Sequence, residues 1–189
     1  MRRRVSFVPA NVISVVTVKV LKLVFDKVKS DLRYKQAVFA DDGAHLSLPR
    51  LLLTDGTSAT LLFRMSHRCR HGILSPAGLL LQMLNKWING CVIGVKAEFG
   101  RGLVIMHPVG VVINSKVKTG DRVVIESGVV IGDEKGQSPV IGNDVFIGTG
   151  AKIIGGVTIG DNVKIGANAV VVKDIPSGCT ALGIPAKPR

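Results

Sequence analysis

The feature that most constrains this chain is a six-residue period in its second half. From Ile93 onward a large, mostly β-branched residue recurs every six positions, usually with glycine after it. The series runs Ile93-Gly94, Phe99-Gly100, Ile105; then Ile113-Asn114, Thr119-Gly120, Ile125-Glu126, Ile131-Gly132; then Ile141-Gly142, Ile147-Gly148, Ile153, Ile159-Gly160, Ile165-Gly166, Val171. The fifth position of most hexads is small or aliphatic, as at Ala97, Val117, Val123, Val129, Val145, Ala151, Val157, Val163 and Ala169. A fixed short period marks a solenoid. Six residues do not fit the 3.6-residue turn of an α-helix, but they do make one short strand and one tight corner. Three such sides close a triangular coil, and stacked coils pair as parallel strands about 4.8 Å apart. The period therefore predicts a mainly β architecture, a parallel β-helix of thirteen hexads from Ile93 to Pro176, a little over four coils.

Composition divides the chain at the same place. Apolar residues make up 47% but aromatics only 4%, so the core must be built from Val, Ile, Leu and Ala. Of the 22 glycines, 18 lie between Gly90 and Gly183. Residues 1–90 read as a helical N-terminal region with a basic arm, and residues 91–189 as the β-helix with a C-terminal tail. Apolar spacing and the Ser75-Pro76 start signal predict helices over 58–70 and 76–88. Residues 11–33 are compatible with a helix, against the β-branched Val15, Val16, Val18 and Val20. Residues 36–57 read as an irregular linker with turns at Asp41-Asp42-Gly43 and Asp55-Gly56.

The net charge of +12 is uneven: nine of the 25 basic residues and only two acids fall within residues 1–36. A basic stretch can meet nucleic acid, but few stacking side chains and no nucleic-acid motif accompany it, so nucleic acid is not expected as a partner. The apolar run Val5–Val18 is too short to span a bilayer, which needs about 20 residues. It leaves open a peripheral contact of the basic N-terminus with an anionic membrane. Cys69, Cys91 and Cys179 form no close pair, which indicates neither a zinc site nor a disulfide framework. A reducing cytoplasm, or the inner face of its membrane, is the expected location.

The period breaks twice. Ile105 and Ile113 are eight apart, around Met106-His107-Pro108-Val109-Gly110, and Ile131 and Ile141 are ten apart, around 132–139. A solenoid accommodates inserted residues as loops, and loops on a rigid scaffold are where functional groups sit. The spacing of the breaks, a little over one coil, would allow them to lie close together. His107 falls inside the first break. A neutral imidazole changes charge near pH 7 and suits removal of a proton from an acceptor hydroxyl. His67 and His71, four apart on a predicted helix, have a spacing that can bind metal, but no third ligand accompanies them and no metal is expected. No phosphate loop, dinucleotide fingerprint or nucleophile elbow is present.

The segment from Gly100 to Ile113, Gly-Arg-Gly-Leu-Val-Ile-Met-His-Pro-Val-Gly-Val-Val-Ile, resembles the active-site segment of serine acetyltransferases and their relatives in polysaccharide clusters. Ile147–Gly155, Gly183-Ile184-Pro185-Ala186-Lys187, and Leu52-Leu53-Thr54-Asp55 through Phe63–His67 resemble other parts of that pattern, which covers roughly residues 50–189. The resemblance implies a left-handed hand for the β-helix and an acetyl-CoA-dependent O-acetyltransferase, with acetyl-CoA as co-substrate and no bound cofactor. It places His107 on the family's general base. Thr149 and Ala167 match positions whose backbone touches the pantetheine arm, and Pro185 and Lys187 match the tail near the nucleotide. Gly132 is placed with them on the donor side. The family closes its donor groove with a neighbouring subunit, so a homotrimer is expected.

The acceptor side departs from the serine enzymes. Met106 stands where their base follows an aspartate, Val92 where an earlier coil carries another, and Gln137-Ser138 where an arginine and a second histidine lie. Met106 and Ser138 are accordingly the candidate acceptor-binding positions. Each lost charge-assisted contact can cost about 1.5–3 kcal/mol. A sugar or glycan hydroxyl is therefore the expected acceptor, with serine O-acetylation and a non-catalytic β-helix scaffold as alternatives. With no aspartate at 106, backbone carbonyls or Glu126 are expected to orient the imidazole.

Overall fold

The structure, a computed structural model, describes the backbone of residues 10–189 and the side chains of residues 24–189. The arginines at 2–4 and the side chains up to 23, on which the expected membrane contact rests, lie outside those described. Among the described residues no helix is long and apolar enough to cross a membrane.

The predicted β-helix forms. Face one stacks Val92–Ile93, Val112–Ile113, Val130–Gly132, Lys152–Ile154 and Val170–Val171. Face two stacks Lys118–Thr119, Val140–Ile141 and Thr158–Ile159, and face three stacks Val104–Ile105, Val124–Ile125, Phe146–Ile147, Lys164–Ile165 and Thr180–Leu182. All these pairings are parallel and keep the hexad register, as in Ile113↔Ile131, Ile131↔Ile153 and Ile153↔Val171. Ile93, Ile105, Ile113, Ile125, Ile131, Ile141, Ile147, Ile153, Ile159 and Ile165 are all buried in one continuous core with the small fifth-position residues. The inward ladder is thus one apolar residue per strand, except for Thr119 on face two, and its removal from water is the main driving term for the fold.

The helix continues past Pro176, where the period ends in the sequence. Ile175 bridges Ile159, and Ala181 pairs with Ile165. This last coil is shortened, with Ile175 only four positions after Val171, and it carries Ala181 where earlier coils carry isoleucine. Lys187–Pro188 then folds back antiparallel on Ala181 and Leu182, so the tail covers the open edge of the last strand, a common protection against edge pairing.

Among the described residues the first half contains four α-helices, α1 (Ala10–Asp41), α2 (Leu48–Leu52), α3 (Thr57–Arg68) and α4 (Ser75–Asn89), with a 3-10 turn at Gly72–Leu74. Residues 36–57 are not the irregular linker expected from the sequence. Gln36-Ala37-Val38-Phe39-Ala40 carries α1 onward until Gly43, at φ 82°, ends it. Leu48-Pro49-Arg50-Leu51-Leu52 starts with a helix-compatible proline and buries Leu51 completely.

A buried ion pair joins helices to β-helix. Arg64 of α3 meets Asp31 of α1 through two hydrogen bonds of 2.8 and 2.9 Å. The same guanidinium donates to the Phe99 and Gly100 carbonyls at 3.0 and 2.6 Å. Asp31 also accepts from the Leu103 amide at 2.9 Å. One pair of charges therefore satisfies backbone groups at a corner of the first coil. Removing one partner of such a pair strands the other charge and typically costs about 3–5 kcal/mol. Arg64→Met is expected to lose stability on that scale in urea unfolding; a loss under about 1 kcal/mol would show that the pair does not hold the two parts together.

Candidate active site

The first break in the period forms the corner between faces three and one. Pro108 is buried there and His107 projects outward. Its Nδ1 lies 3.0 Å from Oδ2 of Asp55. A carboxylate oxygen only accepts, so Nδ1 carries the proton and donates it. Nε2 is then left with its lone pair, the form a general base requires. Histidine and aspartate are 61% and 59% exposed, so the pair opens onto the surface of the single chain.

Asp55 is brought to His107 by a turn between α2 and α3. Gly56 has φ 76°, and a Cβ built on it would lie 1.9 Å from the Ile105 carbonyl oxygen. Only glycine lets the turn rest on the strand end that leads into Met106 and His107. The Gly56 amide donates to Asp55 Oδ1 at 3.0 Å, which leaves Oδ2 for the histidine. From behind, the buried ammonium of Lys35 donates to the Asp55 carbonyl and, at 2.9 Å, to Thr57 Oγ1. Burial pushes Lys35 down to about 8, with the Asp55 carboxylate acting in the opposite direction.

Asp55 was legible in the sequence only as a turn. It stood in the segment resembling the family, yet its partner is 52 positions away and no local spacing links them. The expected orienting groups are corrected accordingly. Glu126 lines a neighbouring groove, and Asp55 supplies the contact that Glu126 or a carbonyl was expected to make.

The strand register places the other candidates. Ile105, Ile125, Ile147, Ile165 and Ala181 are successive partners on face three. The residues that follow them, including Met106, Thr149 and Ala167, therefore run along one corner edge with His107. Thr149 and Ala167 are exposed on it. The tail crosses the same edge. Gly183 accepts from the Val170 amide at 3.0 Å, and Ala186 donates to the Val170 carbonyl at 2.8 Å. Pro185 lies between these two contacts and Lys187 follows in the last strand. From His107 to Ala167 is three coil spacings, roughly 14 Å, so this edge offers an extended track.

Gly132 and Ser138 are not on that edge. The 132–139 loop forms the corner between faces one and two, so the two breaks do not adjoin as expected. With the inserted residues set aside, their offset is one coil plus one side, and the extra side moves the second break around the prism. Ser138 Oγ donates to Asp133 at 3.2 Å, and Asp133 also accepts from the Gly136 amide and Lys116. Despite the opposing effect of desolvation, these donors hold Asp133 below the usual carboxylate range. Within one chain the loop is thus closed on itself.

Beside His107, a groove of about 510 Å³ runs between α1 and the outer side of face three. Met106 and Glu126 lie in its wall, with Tyr34, Asp41, Phe146 and Lys164 among the other residues lining it.

Residues 138–173 match the family described as bacterial transferase hexapeptide (six repeats). Serine acetyltransferase from Helicobacter pylori is 40% identical over 163 residues, which cover 83% of this chain and 95% of that protein. The chain belongs to the serine acetyltransferase family. It is an acyltransferase by that membership. Serine acetyltransferase from Bacillus subtilis is 34% identical over 168 residues, covering 86% of this chain and 76% of the relative. The crystal structure of Neisseria gonorrhoeae serine acetyltransferase in complex with serine superposes with a TM-score of 0.81 at 32% identity, over 90% of this chain and 72% of that one. A serine acetyltransferase in complex with CoA gives 0.80 at 29% identity, over 88% of this chain and 69% of that one.

Gly56→Ala tests how Asp55 is placed. The added methyl group must push the turn off the strand, and misplacement of a reacting group by about 1 Å can cost on the order of 10²-fold in rate. Acetyl transfer is expected to fall on that scale while the far-ultraviolet circular dichroism is unchanged. Full activity in the variant would mean that the turn does not position the site.

Proposed function

We propose that the protein is an acetyl-CoA-dependent serine O-acetyltransferase, with His107 as general base. The observation that carries this reading is the His107–Asp55 pair. Nε2 of His107 takes the proton of the acceptor hydroxyl as that oxygen attacks the thioester carbonyl. The carbonyl carbon gains the acceptor oxygen and loses the CoA sulfur, which leaves as thiolate and takes up the proton from the imidazolium. Asp55 holds the imidazole in the productive tautomer and stabilises its charged form between those two transfers.

Asp55 also changes the balance between acceptors. The sequence suggested a site stripped of carboxylates and so favoured a glycan. A carboxylate does stand beside the base, and an exposed one can face the ammonium of an amino acid. The relatives named serine acetyltransferase, among them the Helicobacter pylori protein at 40% identity, support the same choice. A glycan remains the second reading, favoured by one feature: the adjacent groove combines Tyr34 and Phe146 with Asp41 and Glu126, surfaces that suit stacking and hydrogen bonding of a sugar.

The edge from His107 past Thr149 and Ala167 to Pro185 and Lys187 is the proposed track for acetyl-CoA, with the thioester end at His107. Lys187 meets phosphate there as a plain charge. Gly132 and Ser138, on the opposite corner of the same face, would serve this track only from a neighbouring copy. The open His107–Asp55 pair and the exposed apolar Val109 and Ile184, 67% and 75% exposed, support a homotrimer in which a neighbour covers this edge.

Release of CoA thiol from acetyl-CoA, measured with L-serine and with a panel of sugars, tests the reading. Turnover is expected with L-serine, and His107→Asn should lower it by about 10²–10⁴-fold, the usual worth of general-base catalysis. Turnover with sugars alone would make the acceptor a glycan. Retention of most activity in His107→Asn would remove His107 from the role of base.

A further inference from the structure

A second concave site lies where α1, α3 and the first coil meet, away from the corner that holds His107. A cavity of about 250 Å³ is lined by Val24, Lys27, Arg64, His67, Arg68 and Arg70. An adjoining hollow of about 410 Å³ shares Lys27, His67 and Arg70 and extends over Phe99, Gly100 and Thr119, with Glu98 on its wall.

The charges in this place do not cancel. Arg64 is neutralised by Asp31 and gives four hydrogen bonds, to that carboxylate and to the Phe99 and Gly100 carbonyls. Lys27, Arg68 and Arg70 remain, and of the residues lining the two hollows Glu98 alone is acidic. Among the described residues Lys27 gives one hydrogen bond, to the Phe99 carbonyl at 2.7 Å, and an ammonium has three donors. The chain before Asp26 contains no acidic residue, so no side chain from residues 1–25 can supply a missing counter-charge.

The arginine is also pre-set. Arg70 Nε donates to His71 Nε2 at 2.9 Å, and Arg70 Nη1 lies 2.6 Å from His67 Nε2. Arginine cannot accept, so both histidines present lone pairs to it. His67 Nδ1 then bears its proton and donates to the Val95 carbonyl at 3.1 Å. Burial first, and Arg70 second, push His67 down to about 4, in keeping with a neutral ring. The two histidines, whose spacing can bind a metal, hold one guanidinium in place, and its Nη2 makes no hydrogen bond among the described residues. Burial, reinforced by Arg64, also lowers the pKa of Lys27, while Asp31 and Asp121 act in the opposite direction.

We propose that Lys27, Arg68 and Arg70 form a binding site for a multiply charged phosphate anion, distinct from the edge assigned to acetyl-CoA. Three cations on a concave wall favour a multivalent anion over a single carboxylate, and the oriented guanidinium offers the directional donors that phosphate oxygens take. An occupant would bridge α1 and α3 at the place where Arg64 and Lys27 already reach the Phe99 carbonyl. This site does not depend on which acceptor is acetylated.

The test uses the full chain with inorganic pyrophosphate, by isothermal titration calorimetry at fixed ionic strength. Saturable binding of one anion per chain is expected. Arg70→Gln and Lys27→Gln should each weaken it on the order of tenfold, as for loss of one charge-assisted contact. Arg68→Gln, an exposed substitution that leaves both buried networks intact, should weaken it as well. Lys187→Gln should leave it unchanged. Absence of saturable binding up to millimolar pyrophosphate would overturn the proposal. So would equal binding by all three basic-site variants, or a loss in Lys187→Gln that matches theirs, which would move the phosphate to the tail.

Discussion

The structure depends on how its helices are fixed to the first coil. Asp31 and Arg64, both buried, bind each other and three backbone groups of residues 99–103. The pair lies between α1 and α3, and Lys35 on the next turn of α1 grips the Asp55 carbonyl. Gly56 then rests against the strand end at Ile105. A run of contacts thus leads from one buried ion pair to the position of a single carboxylate, and that carboxylate sets the state of His107. In the proposed reaction the β-helix supplies the base, and the helical region supplies the carboxylate that contacts it.

The β-helix performs a different task. Its ladder of buried isoleucines leaves little freedom for any coil to shift against the next, because interiors are packed as densely as crystals of small molecules. Rigidity of that kind lets one corner hold His107, Thr149, Ala167 and the tail in a fixed row. Inserted residues can only bulge outward, so chemistry collects at the breaks. At the first break the insertion holds the histidine, whereas at the second the loop is fastened to itself through Asp133.

Much of this was legible in the sequence, and the reason is the period. The inward residue of each hexad repeats with so little variation that fold, register and core followed from counting, and His107 stood out because it broke the count. What escaped was whatever the period did not govern. The last coil was missed because Ala181 replaces the isoleucine and the spacing from Val171 to Ile175 is short. The helical reach of residues 36–41 was missed because a run of Gln, Ala, Val and Phe has no sharp signal until Gly43. Asp55 was missed because its role depends on a contact across 52 residues, created by tertiary packing. The neighbourhood of the two breaks was misjudged because their offset is one coil plus one side, and the extra side carries the second loop to another corner.

Asp55 fixes His107 with its proton on Nδ1 and its lone pair on Nε2. Nitrogen-15 NMR of the His107 ring reads this directly, at a pH where the imidazole is neutral. A pyrrole-type signal for Nδ1 and a pyridine-type signal for Nε2 are expected in the parent protein, and a mixture of tautomers in Asp55→Ala. The same tautomer mixture in both proteins would contradict this role of Asp55.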